Sequence, residues 1–275
     1  MTERMLVFIP CYNCAKQIGR VLAQFTPEIA ARFGEILVLD NGSKDGTVEA
    51  ATAALAKLPS IKASVARNRD NYNLGGSHKA AFTYAAANGY THVVVLHGDD
   101  QGSIADLLPV LDQGLHRKHD ACLGARFMKG SRLVGYSAFR IFGNRVFNLL
   151  FSIGAASRVL DLGSGLNIFG PKVISNPRVL RYSDDLRFNV FLLLGMIDDR
   201  LSLRFFPITW REDDQISNVK MVSQAFRTLD ILKQYLFSRA RFRSGEHRDT
   251  VRAAYPFDVV AAVNAPGAVE QVRFR

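Results

Sequence analysis

Three short runs constrain this chain more than anything else in it: Leu6–Ile9, Ile36–Leu39 and Val93–Leu96 are apolar at every position. A strand that alternates apolar and polar residues has one wet face, whereas a strand apolar throughout is buried on both. Between these runs lie Val48–Leu58, with Ala and Leu at helical spacing, and the Ala-rich Ser77–Asn88, stopped by Gly89. Apolar strands separated by helices predict an α/β fold, a mostly parallel sheet with helices on both faces. Each run ends in a polar tip: Pro10–Asn13, Asp40–Ser43 and His97–Gln101. Ligands of such sheets sit outside the carboxyl ends of the strands, so a single site built from these tips is expected.

The second half is less regular. Ala121–Gly124, Leu166–Phe169 and Leu203–Ile208 read as strands, and Phe139–Ile153 as a helix with a broad apolar face. No repeat or low-complexity linker divides the chain, which reads as one domain, 1–219, followed by a C-terminal extension, 220–275. Within Met221–Phe242, Val222, Ala225, Phe226, Leu229, Leu232, Tyr235 and Leu236 recur at helical intervals, opposite Lys220, Arg227, Lys233 and Arg239. A basic amphipathic helix of this kind either packs on its own domain or lies in a membrane interface. For Ala253–Arg275 the pattern leaves a hairpin, a swapped arm and disorder open.

At 275 residues, 48% hydrophobic and 22% charged, the chain is of the globular class. No apolar run reaches the roughly 18–20 residues that span a bilayer, and the apolar start is too brief for a secretory signal. The expected location is therefore cytoplasmic, with any membrane contact peripheral and at the inner face of the cytoplasmic membrane. Cys11, Cys14 and Cys122 cannot build a disulfide framework, and the Cys11-x-x-Cys14 pair lacks a second half for zinc. Net charge is +10, and between Arg126 and Arg181 nine cations face the single acid Asp161. This asymmetry implies an anionic partner. Nucleic acid is excluded, because no recognition motif appears and aromatic residues are not interleaved with the basic ones.

Phe8-Ile-Pro-Cys-Tyr-Asn, Leu37-Val-Leu-Asp-Asn-Gly-Ser-Lys-Asp-Gly-Thr, Asn73-Leu-Gly-Gly and His97-Gly-Asp-Asp-Gln occur in that order. Together they resemble glycosyltransferase family 2 with the GT-A (Rossmann-like) fold. Gly124-Ala-Arg-Phe, Asp161-Leu-Gly-Ser-Gly-Leu and Pro207-Ile-Thr-Trp-Arg are similar to its dolichol- or polyprenyl-phosphate mannosyltransferase branch. The resemblance implies an inverting transfer from a UDP- or GDP-linked sugar to a polyprenyl phosphate or lipid-linked glycan, in cell-envelope polysaccharide or glycolipid synthesis. It also implies a divalent cation, Mn²⁺ or Mg²⁺. His97 stands where the first Asp of the family's D-x-D is expected, which raises an alternative: a non-catalytic nucleotide-sugar-binding protein of the same fold.

The resemblance also assigns residues. Asp40 would accept from a base N–H, its competing role being that of a turn residue; Pro10, Tyr12 and Asn13 would line the nucleotide pocket. Gly75, in a turn ahead of a helix, would offer its amide to donor phosphate or ribose. Asp99 is the expected metal ligand, with Gln101 and His97 as lesser candidates. His97, the softer donor, favours Mn²⁺ or else contacts the nucleotide alone. Asp100 is expected to cap a helix near Ser103. Arg126 and Arg140 fall where the branch holds donor and acceptor phosphates, for which guanidinium forks are suited. Arg211 and Ser217 resemble an acceptor-phosphate loop. Asp185, with Asp184 second, is the candidate general base at a helix N-terminus. A phosphate acceptor is already ionised and would need no base.

Overall fold

The computed structural model describes residues 3–58, 61–212, 221–263 and 269–271. Strands β1 (Met5–Cys11), β2 (Glu35–Asp40), β3 (Ala63–Asn68) and β4 (His92–Leu96) are parallel, and beyond β4 the sheet continues through β7 (Leu166–Phe169), β5 (Ala121–Ala125) and β8 (Leu203–Pro207). A short pair, β6 (Arg132–Val134) and β9 (Thr209–Arg211), stands apart. The tail supplies β10 (Phe257–Val263) and β11 (Val269–Gln271), and the large sheet runs β11-β10-β3-β2-β1-β4-β7-β5-β8. This is the mostly parallel α/β sheet expected, with β7 and β10 antiparallel to their neighbours.

The apolar runs are explained by the two cores they feed. Successive side chains of a strand point to opposite faces. Leu6, Phe8, Leu37, Leu39, Val93 and Val95 enter one core. It is covered by helices α3 (Asn73–Ala87), α4 (Ala138–Gly154) and α5 (Phe188–Asp198) through Phe82, Phe151, Phe188 and Leu194. Val7, Ile9, Ile36, Val38, Val94 and Leu96 enter the other, under α1 (Ala15–Ala23) and α2 (Thr47–Leu55) through Ile18, Leu22, Ala51 and Leu55. Each such side chain contributes about 1.5–3 kcal/mol on burial, so a polar residue on either face would be costly.

Two elements were not legible from apolar runs. β3 carries Ser64 and Arg67 among small residues, and β10 lies in the tail, where it completes the sheet by pairing antiparallel with β3. Helix α6 (Met221–Phe237) packs on its own domain through Ile231, Leu232 and Tyr235 and contacts α4 and α5.

Candidate active site

Register fixes where the site opens. Cys11 lies opposite Asp40 and Phe8 opposite Val95, so β1, β2 and β4 end at the same edge of the sheet. The loops that follow converge on a cleft of about 600 Å³, lined by Pro10, Tyr12, Asn41, Asn71, Asn73, His97 and Asp99. Asp185 and Leu186 face them, together with Gln224 and Arg227 of α6.

The nucleotide-side expectations divide. Pro10 and the exposed ring of Tyr12 line the cleft. Asn13, at φ 52°, instead knits two tips together: its amide donates to Ser43 Oγ at 2.8 Å, and its Oδ1 accepts from the Lys44 amide at 3.0 Å. Asp40 is fully buried; its carboxylate accepts from the Gly42 and Ser43 amides at 3.1 Å and pairs with Arg67 at 3.1 Å. That is the turn role, favoured because the carboxylate reaches amides two and three residues on. The polar group at the cleft is the next residue, Asn41, which the motif contained and the sequence reading passed over. Its Oδ1 accepts from Asn68 Nδ2 at 3.0 Å and the Tyr72 amide at 2.8 Å; its Nδ2 donates to Asn71 Oδ1 at 2.8 Å.

Gly75 is a correction. Asn73-Leu-Gly-Gly is the first turn of α3 rather than a turn ahead of it. The Gly75 amide donates to the Asp184 carbonyl at 2.6 Å, and Gly76 shares that acceptor at 3.2 Å. A Cβ on Gly75 would stand 2.5 Å from the Ser183 carbonyl oxygen and 2.6 Å from Phe188 Cβ. The glycine is there for close packing, and its amide is not available to a phosphate.

His97-Gly-Asp-Asp-Gln separates into distinct roles. Asp99 lines the cleft; among the described residues no cation pairs with it, and its Oδ1 accepts only from the Gln101 amide, at 3.2 Å. Burial pushes its carboxyl up to about 6. Asp100 turns the other way at φ 59° and is held by Arg20 at 2.7 Å, Gln24 at 3.3 Å and Arg211 at 3.3 Å. It therefore does not cap the following turn, which Ser103 caps by accepting from the Ala105 amide. Gln101 engages through its backbone, its carbonyl accepting from the Arg211 amide, and its side chain does not line the cleft. His97 does line it, packed against Gly165, with a buried Nε2 that has no hydrogen-bond partner. Burial, and then the charge of Arg126, lower its pKa to about 4, so it is a neutral imidazole at neutral pH.

Among the described residues no three His, Cys, Asp or Glu side chains converge as a metal cage. One uncompensated carboxylate fits a divalent cation that takes its remaining oxygens from a bound phosphate and water, and the unpartnered imidazole nitrogen suits Mn²⁺ better than Mg²⁺. Cys11 and Cys14 are buried free thiols, and the Cys14 contact and burial raise the Cys11 thiol well above its usual range. Both side chains are packed in the second core.

The arginines assigned to phosphates are already committed. Arg126 forks onto Asp161 at 2.8 Å through both Nε and NH2, also donates to the Gly163 carbonyl at 2.8 Å, and lies against Trp210. Arg140 forks onto Glu212, and Arg211 reaches Asp100. Ser217 lies outside the described residues. Among the described residues the cation that does line the cleft is Arg227, 58% exposed, with the Asp185 carboxylate at 3.7 Å. It sits on the polar face of α6, whose amphipathic pattern announced the helix but not that this face borders the cleft.

Of the acid pair, only Asp185 lines the cleft. It accepts from Ser183 Oγ at 2.8 Å and from the Arg187 amide and Nε at 2.8 and 2.9 Å. Burial alone would raise its pKa, but the hydrogen bonds from Arg187 and Ser183 outweigh burial and leave it below the usual carboxylate range. Asp184 points into the protein, where its Oδ1 accepts from Lys79 Nζ at 2.6 Å and Tyr255 OH at 2.7 Å. Its buried pairing removes it as a base candidate.

An open, mostly parallel sheet with a polar cleft across its strand ends places the chain among the α/β proteins whose ligands sit at the carboxyl ends of the strands. More particularly, the chain belongs to glycosyl transferase family 2, whose model matches residues 6–163. It is 28% identical over 137 residues to undecaprenyl-phosphate mannosyltransferase of Micrococcus luteus, covering 50% of this chain and 54% of that one. It is also 28% identical over 170 residues to glycosyltransferase AglJ of Haloferax volcanii, covering 61% and 50%. The chain thus spans about half the length of these curated relatives. Among solved structures it resembles glucosyl-3-phosphoglycerate synthase from Mycobacterium tuberculosis in complex with Mn²⁺, UDP and glucosyl-3-phosphoglycerate. The TM-score is 0.58 at 17% identity, covering 86% of this chain and 80% of that one. That likeness bears out the GT-A fold.

Proposed function

We propose that the protein is an inverting glycosyltransferase that moves a sugar from a UDP- or GDP-linked donor to a polyprenyl phosphate or lipid-linked glycan. The observation that carries the reading is Asp99, a carboxylate without a cation partner among the described residues, at the meeting point of the strand-end loops. In this reading Asp99, with His97 beside it, holds a divalent cation that neutralises charge on the departing diphosphate. Asn41 and Asn71 offer amide groups to base and ribose, and Arg227 supplies an exposed guanidinium toward phosphate. Asp185, ionised and locked by Arg187, orients the acceptor more readily than it takes a proton, since a lowered pKa makes a weaker base. An acceptor that is already an ionised phosphate suits this site.

Membrane contact is supported from an unexpected helix. Phe139, Phe142, Leu149 and Ile153 are 60–76% exposed along one side of α4, which carries Arg140 and Arg145 and no acid. No helix among the described residues is long and apolar enough to cross a membrane. The proposed contact is peripheral, at the inner face of the cytoplasmic membrane.

The test is transfer from labelled UDP- and GDP-sugars to polyprenyl phosphate in anionic vesicles, with and without Mn²⁺, for wild type and Asp99→Asn. Cation-dependent product, lost in the variant, is expected. Donor binding without transfer or donor hydrolysis would favour the non-catalytic binding protein instead.

A further inference from the structure

A second cleft, of about 610 Å³, shares no lining residue with the first. It gathers Arg158 from the turn after α4, Arg200 from the approach to edge strand β8, and Arg239 and Arg243 from the short helix Arg239–Ser244; Arg204, within β8 and opposite Cys122, alternates to the other face of the sheet from Leu203 and Phe205. The one acid lining it is Asp198, 1% exposed and shared by Arg178, Arg239 and Arg243 at 2.8–3.1 Å. Arg158 and Arg200 have no ion pair or side-chain hydrogen bond among the described residues. Arg200 is moreover held at φ 56°, a backbone state rarely adopted by a long side chain.

Like charges lining one cleft repel, and among the described residues no acid pairs with Arg158 or Arg200, while the one lining acid, Asp198, is already shared by three arginines. We propose that this cleft is a second anion site, for a ligand bearing a phosphate group with two or more negative charges. One carboxylate would leave most of the charge uncompensated, whereas a phosphate offers several oxygens to several guanidinium forks. The volume admits more than a single phosphate, so the ligand is either a soluble phosphorylated compound or the headgroup of a lipid.

The double variant Arg158→Gln/Arg200→Gln tests it at fixed ionic strength, with inorganic pyrophosphate as soluble probe and phosphatidylcholine vesicles containing phosphatidic acid as lipid probe. Arg227→Gln serves as control for anion binding in the first cleft. Wild type and the control should melt higher with pyrophosphate, and the double variant should bind it at least tenfold more weakly. Vesicle binding lost in the double variant while the pyrophosphate response persists would assign the site to a headgroup. Both responses unchanged would overturn the proposal. So would a double variant that melts several degrees lower without ligand, because these guanidiniums would then be structural. Removing their repulsion should leave the melting temperature unchanged or higher.

Discussion

Lys79 is a buried charge at the heart of the site's support, and its removal gives a quantitative test of how the acid-bearing loop is held. Its side chain is fully buried, 2.6 Å from Asp184 Oδ1, and its Nζ also donates to the Tyr182 carbonyl and to Tyr255 OH at 3.3 Å. Burial lowers its pKa to about 8, against the opposing pull of Asp184. Lys79→Met keeps the volume and removes the charge, leaving Asp184 with the Tyr255 hydroxyl and Arg252 at 3.5 Å. Breaking a buried pair from one side costs about 3–5 kcal/mol. Arg252 offsets part of this, so a loss of about 3 kcal/mol is expected, a large share of a typical 5–15. Asp184→Leu alone, which strands the ammonium, should cost a similar amount. The double variant Lys79→Met/Asp184→Leu strands neither charge and should recover at least about 2 kcal/mol of the summed loss. The lone Trp210, buried in the second core, reports unfolding by its fluorescence in urea. Additivity of the two single changes within about 0.5 kcal/mol would refute the argument, since coupled partners do not add.

Three further outcomes follow from the same geometry. Asp99 keeps its proton to about pH 6 when folded, against about 3.8 when unfolded, so wild-type stability falls as pH rises through that window. Above it, Asp99→Asn should be more stable without cation by about 3 kcal/mol, two pKa units at roughly 1.4 each; equal urea midpoints at pH 7 would contradict this. Arg126→Ala should act on folding before catalysis, costing about 3 kcal/mol by stranding buried Asp161; an unshifted melting curve with lost turnover would restore a direct phosphate role. Gly75→Ala should destabilise by about 1–3 kcal/mol, because the Ser183 carbonyl at 2.5 Å from the new Cβ is backbone and cannot step aside cheaply; neutral behaviour in urea would show that the loop is looser than the contacts imply.

The strand ends were legible because apolar runs are local facts, and each polar residue that follows a buried strand must lie at the sheet's edge. Pro10, Tyr12, His97, Asp99 and Asp185 were placed at one cleft on that basis and on the motifs, and they line it. Asn41 was missed beside Asp40 because the motif does not say which of two adjacent polar groups turns inward and which closes the turn. Arg126, Arg140 and Arg211 read as free cations because their partners, Asp161, Glu212 and Asp100, stand 35, 72 and 111 residues away in sequence.

The amino-acid sequence by itself determined the parallel sheet, its two cores and the edge at which the loops gather, since hydrophobic periodicity acts residue by residue along the chain. Tertiary structure alone decided which charges are spent and which are free. A side chain's charge has consequences only through what lies within a few ångströms of it, and that distance is set by the fold: it paired Asp184 with Lys79, left Asp99 without a cation partner among the described residues, and brought Arg227 and Asp185 to the same cleft.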